Sequence, residues 1–324
     1  MKKLGLSLCF FLIVVQFSCN NQRHSYYDLE VLRLDSLYVT NVQNASFQDY
    51  SQQYGYFWDL YSQEVISLPE AYFQDSLLAF QQEEDFQKPY RQLSEQFADF
   101  STYEKEFSEA FYHYNQSFPS RVAPKIITFF GGFNYIAIAT DSVLGIGLEM
   151  FLGNDADYYK KLIQKFPLYM HDRFQPSHMV ALSVDGWLES EFPVLHTDFL
   201  SQMIHYGKLK YALSQFMKGT PKNIIMGYSK EQLDWCENSE FSIWKFLIEE
   251  GLLYSTDQFL INKYIKPAPY SKGMPLESPG QVAVWVGWNI VEEFMSNNPN
   301  VSIRDLFQLH DAQYILNESK YKPR

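Results

Sequence analysis

Beyond its first nineteen residues this 324-residue chain has no apolar run long enough to cross a membrane. Its most apolar region, 126–152, is broken by Gly131-Gly132, Asn134 and Thr140-Asp141-Ser142, the punctuation of short strands and turns. Basic charge is also in short supply, with 26 Lys and Arg against 38 Asp and Glu and a formal net charge of -12. Such a surface repels phosphate backbones and anionic headgroups, which argues against nucleic acid and leaves a basic protein partner open. Cysteine is scarcer still: Cys9, Cys19 and Cys236 are the only three.

The motifs that hold metals or build nucleophiles are missing too. A zinc peptidase needs two histidines one helical turn apart with a glutamate between them, because that spacing puts two imidazoles on one metal and a base on its water. No HExxH occurs, no two of the seven histidines stand four apart, and His171 and His178 are separated by Pro176. There is no Gly-x-Ser-x-Gly elbow and no P-loop, and Gly145-Ile146-Gly147 falls short of a dinucleotide fingerprint and reads as a bend in a strand. Cys236 sits in a patterned helix, where a free thiol is ordinarily a small core residue. No catalytic residue, metal site or cofactor is assigned.

What is present begins with a secretory pattern. Lys2 and Lys3 form a basic start, 4–15 an apolar stretch, and Ser18-Cys19 a small residue before a cysteine. The reading is a signal peptide over 1–18, an acylated Cys19, a polar tether over 19–25 and one domain over 26–324. Gln16 and Phe17 depart from the usual lipobox. Each buried acyl methylene contributes about 0.8 kcal/mol, so two or three chains anchor a protein that has no spanning helix. With Cys9 lost and Cys19 acylated, Cys236 has no thiol to pair with, and stability rests on the core. The 27 Phe, 24 Tyr and 6 Trp supply large buried areas for one. Removing Lys2 and Lys3 leaves 24 basic against 38 acidic side chains, a formal charge of 24 − 38 = −14.

Residues 26–118 show helical spacing, through Leu29, Leu32 and Leu37 and later Phe97, Phe100, Phe107 and Phe111, with Pro69-Glu70 at a helix start and Pro119 at an end. Over 121–153 the period changes, and the pattern predicts a three-stranded antiparallel meander as the chain's one sheet. Helices are expected again over 154–324, at 156–166, 177–191, 196–217, 229–250, 256–264, 281–297 and 303–309. The helix at 281–297 is apolar all round and belongs at the centre; the one at 196–217 carries Gly207 where a neighbour can approach closely. The fold class is therefore α+β, mainly helical with a small antiparallel sheet. Glu149, in an apolar strand, either faces water or is buried with a partner; Glu240, between Trp235 and Trp244, raises the same question, and Lys208 is a candidate partner for either.

A set of ordered motifs then becomes specific: Phe133-Asn134-Tyr135, 146–153, Met203 to Lys208, Trp235 to Trp244, Pro267 to Lys272, Glu277 to Gly280 with Gly287-Trp288, and Ser319 to Pro323. Together they resemble the GldB family of gliding motility lipoproteins of Bacteroidetes, from about Phe130 to the C-terminus. Ser239 stands where Asn is expected before Glu240, and Ala283 where glycine is common. The resemblance implies an envelope lipoprotein serving gliding and type IX secretion through assembly or stability of that apparatus, partnered by its other envelope proteins. The non-acidic tether favours the periplasmic face of the outer membrane. A fainter likeness, in the order of elements, is to zincin-like peptidases, with 196–217 in the place of the metal helix but without its ligands: a degenerate zincin-like fold. Two alternatives follow: a divergent metal-dependent peptidase using scattered ligands, or an envelope module binding a peptide or glycan with Tyr270, Trp285 and Trp288. Cys19→Ala is expected to release the protein from membranes; a mutant that still pellets with them, its signal cleaved, refutes the anchor.

Overall fold

Helices dominate the fold, and six of those in the described residues begin behind a capping side chain. The structure, a computed structural model, describes residues 27–38, 46–153, 159, 161, 162 and 166–323. The leader, Cys19 and the tether lie outside these residues, as does most of the helix expected over 156–166. The first helices are α1 (Phe47–Tyr54), α2 (Tyr56–Leu60), α3 (Phe73–Gln82), α4 (Glu84–Gln96) and α5 (Ser101–Ser117). Ser46 caps α1 in a reciprocal capping box with Asp49. After the sheet come α6 (Met179–Glu191), α7 (Phe199–Phe216), α8 (Lys222–Met226), α9 (Lys230–Glu249), α10 (Gln258–Ile265), α11 (Val282–Asn297), α12 (Ile303–Gln308) and α13 (Ala312–Ser319). Ser229 and Ser302 close capping boxes on α9 and α12, and Asp198 and Asp257 cap α7 and α10.

The mainly helical α+β class holds, but the sheet is mixed rather than an antiparallel meander, and it has four strands. These are β1 (Val31–Arg33), β2 (Lys125–Phe129), β3 (Ala137–Ala139) and β4 (Val143–Gly147), in the order β1-β2-β4-β3. β1 and β4 both run parallel to β2, and only the β3–β4 hairpin is antiparallel. Val31 and Leu32 face Ile126 and Ile127 in the register, so Leu32 belongs to a strand, not to the helix its spacing suggested. A three-residue strand is too short to show its own period, and its partner lies far along the chain.

The chain leaves β2 through a loop in which Gly132 and Phe133 both take positive φ, 63° and 61°. It passes to the far edge as β3 and returns into the middle as β4. Gly147 makes that return possible: a Cβ there would lie 2.2 Å from the Tyr135 carbonyl oxygen. The glycines of 145–147 thus give clearance to a neighbouring segment rather than a bend.

One continuous apolar core runs from Leu34 to Ile315. At its centre α7 crosses α11, which is buried along nearly its whole length as its composition predicted. The two backbones touch. A Cβ on Gly207 would come within 2.3 Å of the Gly287 carbonyl, and one on Gly287 within 2.0 Å of the Met203 carbonyl oxygen. Because the obstacles are backbone, no rotamer change relieves them and the helices themselves must separate. Gly207→Ala and Gly287→Ala are each expected to cost about 3 kcal/mol in urea unfolding, with the double variant costing less than the sum because one displacement serves both. Single variants within about 0.5 kcal/mol of wild type would show that the crossing is loose.

Candidate functional site

The three charged residues singled out in the sequence do not meet. Glu149 lies in a 3-10 turn, Leu148–Phe151, with no solvent exposure. Its Oε1 accepts hydrogen bonds from the Gly131 and Phe133 backbone N–H groups at 2.7 and 3.0 Å, while Oε2 has no partner. Lys208 instead donates to the Leu309 carbonyl. Glu240 accepts from Asn289 at 3.1 Å and from the Tyr321 hydroxyl at 2.5 Å, fastening the C-terminal segment to α9. The suggested pairing of Lys208 with either carboxylate is therefore corrected: both carboxylates accept from other donors.

The aromatic trio is also separated. Trp285 and Trp288 are 2% and 0% exposed and pack edge to face at 6.0 Å, with the Lys222 ammonium 5.6 and 5.0 Å from the two ring centres. Only Tyr270 reaches the surface, 42% exposed. Cys236 is buried, its thiol pushed up by desolvation. His171 bonds the Phe166 carbonyl at 2.9 Å and His178 is buried with Nε2 unpartnered. Among the described residues no three His, Cys, Asp or Glu side chains are arranged to hold a metal ion.

Two faces of α7 do open onto cavities. On one, Ser201, Ile204, His205 and Lys208 line a space of about 200 Å³ together with His196 and His310, whose rings are 6.1 Å apart. Burial, reinforced by neighbouring Lys208, lowers His205 to about 4, and burial alone lowers Lys208 to about 8.

On the other face, Tyr206 and Lys210, one turn apart, confront Asp185 and Glu189, one turn apart on α6. Arg173, Lys266 and Gln281 complete a cavity of about 170 Å³. Lys210 Nζ donates to Asp185 Oδ2 at 2.6 Å and to the Ile225 carbonyl at 3.1 Å, and both side chains are almost wholly buried. Asp185 Oδ1 has no partner. Arg173 donates through Nε to the Gly227 carbonyl at 3.0 Å and through Nη2 to Gln281 Oε1 at 2.5 Å, and no carboxylate pairs with it among the described residues. Desolvation accordingly lowers its pKa. Gln281 holds that position in the left-handed region, φ 60°, which a non-glycine residue adopts at a cost of about 1 kcal/mol. Lys266 donates to the Tyr206 hydroxyl at 3.1 Å. Glu189 stands exposed at the mouth yet is crowded by protein, and desolvation followed by repulsion from Asp185 raises its carboxyl. Sequence reasoning missed this site. Its signal was charge on core helices: the pairs Asp185/Glu189 and Tyr206/Lys210 share a face at a spacing of four.

The fold and its sites thus define a helix-dominated α+β protein in which one core helix opens charged side chains onto two cavities. The family model for gliding motility protein GldB matches residues 19–323, nearly the whole chain, and the chain belongs to that family. It is a gliding motility-associated protein. No curated protein and no solved structure matches it.

Glu149 supplies a test. Burial outweighs its two backbone hydrogen bonds and raises the carboxyl from 4.5 to about 7. Between those values the folded chain holds a proton that the unfolded chain has released, so stability is greatest below the lower value. It falls as pH rises through the window, by on the order of 3 kcal/mol in all, and the contribution is level above it. Glu149→Gln keeps an acceptor for both N–H groups and cannot ionise. The variant is expected to gain on wild type in melting temperature from about pH 4.5 to pH 7.5; a difference independent of pH would show that the carboxyl does not titrate in this window.

Proposed function

We propose that this protein is a lipid-anchored envelope component that serves assembly or stability of the gliding and type IX secretion machinery without itself being an enzyme. The family match over 19–323 carries this reading. The leader and Cys19 support the anchor, and no helix among the described residues is long and apolar enough to cross a membrane. The chemistry of α7 supports the non-enzymatic part. On the cavity shared with α6 its positions one turn apart are a phenol and an ammonium, the ammonium of Lys210 already bound by Asp185 at 2.6 Å, and on its other cavity the pairs one turn apart are Ser201 with His205 and Ile204 with Lys208. An imidazole pair on one face would serve a peptidase, and neither face of this helix offers one.

A partner role needs surface rather than a cleft, and the acidic balance favours basic segments of neighbouring envelope proteins. Cross-linking in the native envelope, followed by identification of the adducts, is expected to recover other motility or secretion components, and deletion of the gene to lower their amounts as well as gliding. Unchanged gliding, secretion and partner levels in the deletion strain would remove the assembly role. Stoichiometric zinc in the purified protein would overturn the non-enzymatic part alone.

A further inference from the structure

The cavity between α6 and α7 is more than a packing defect, because one buried acceptor lacks a donor and two cations lack a counter-ion among the described residues. On the accepting side, Asp185 Oδ1 is buried without a donor, and Glu189 at the mouth makes no hydrogen bond among the described residues. On the donating side, Arg173 and Lys266 bond only neutral oxygens, those of Gly227, Gln281 and Tyr206. One ion pair, Lys210 with Asp185, fixes the floor between the two sets. Buried polar groups in native proteins are otherwise paired almost without exception, so a buried acceptor with no donor, beside two cations that no carboxylate pairs among the described residues, calls for an occupant of this cavity.

We propose that this cavity binds a small zwitterion of the amino-acid kind. Its ammonium donates to Asp185 Oδ1 and Glu189, and its carboxylate accepts from Arg173 and Lys266. The alternatives leave something unpaired. A lone cation, such as a basic side chain of a partner, would satisfy the two carboxylates and add its charge beside Arg173 and Lys266. A lone anion would satisfy those two and leave Asp185 Oδ1 orphaned and Glu189 repelled. A zwitterion completes both sides with no net charge added. Size agrees: at about 170 Å³ the space is below the ~300 Å³ at which drug-sized pockets begin. So does rigidity. Arg173 is clamped by Gln281, whose left-handed backbone is held at the buried start of α11, so the guanidinium is positioned before any ligand arrives. The site is independent of the machinery assignment, which would stand or fall without it.

The test is calorimetric titration of the full chain, purified in detergent, with each free common α-amino acid in both enantiomers. At least one is expected to bind one to one with a millimolar or lower Kd. For that ligand, N-acetylation, which removes the ammonium, and conversion to the carboxamide, which removes the carboxylate, should each weaken binding by about tenfold or more. Asp185→Asn should abolish it, but that change also breaks the pair with Lys210 and endangers the fold. Glu189→Gln and Lys266→Met alter side chains at the exposed mouth, leave the core untouched, and should each weaken binding about tenfold. Heat of binding from no amino acid at millimolar concentration would overturn the proposal. So would a blocked derivative that binds as tightly as its parent, or mouth variants that bind unchanged.

Discussion

Two helices meet backbone to backbone at Gly207 and Gly287, and that contact sets the orientation of everything α7 carries. With no side chain between the axes, neither helix can rotate about itself without driving Met203 or Trp288 into the other. The rotation of α7 is thereby fixed, and at 100° per residue its other faces are assigned. Positions 206 and 210 fall on one side of the crossing, and 201, 204, 205 and 208 on the other. Both cavities follow from one helix being held by its middle. The same constraint explains how a core helix can carry Lys208 and Lys210: each leaves the crossing on a side where a carbonyl or a carboxylate waits.

Glu149 plays a comparable part for the sheet. A β-strand that returns parallel to its predecessor must first be carried across to the far side, and here a loop and the edge strand β3 do this in place of a helix. The loop achieves it through two successive residues with positive φ, one of them Phe133. Such a backbone presents N–H groups inward, and the Glu149 carboxylate receives two of them. Asn134 adds its own bonds, to the carbonyls of Val65 and Gly131. The carboxylate is thus buried as a substitute for the ladder partners the loop cannot have, which is why it sits in the core without a cation.

What the sequence disclosed is what short-range chemistry determines. Apolar spacing located most of the C-terminal helices to within a few residues, and Gly207 announced a close approach before its partner was known. Strand direction did not follow, because alternation says which residues are buried and nothing about which neighbour they pair with. Val31 to Arg33 read as helix because a strand that short is defined by β2, not by itself. Trp285 and Trp288 were legible as core from the uniformly apolar helix around them, and they proved to be so. The charged cavity was not legible, since Asp185 and Lys210 become partners only after α6 and α7 pack, and each alone looks like a solvated residue on a helix. Two short helices, α8 and α13, were not among those expected.

The Lys210–Asp185 pair also bears on what kind of site this helix can make. Burying both charges forfeits their hydration, and an ion pair in a low-dielectric interior returns that only when its remaining donors and acceptors are satisfied. Lys210 meets the condition through the Ile225 carbonyl; Asp185 does not, because Oδ1 is left over. A hydrophobic pair of the same volume would be the more stable solution, so the charges are retained at a cost that packing alone does not explain. An ammonium held by a carboxylate is a fixed charge with directed donors and acceptors around it. Such a charge can orient a polar group set beside it.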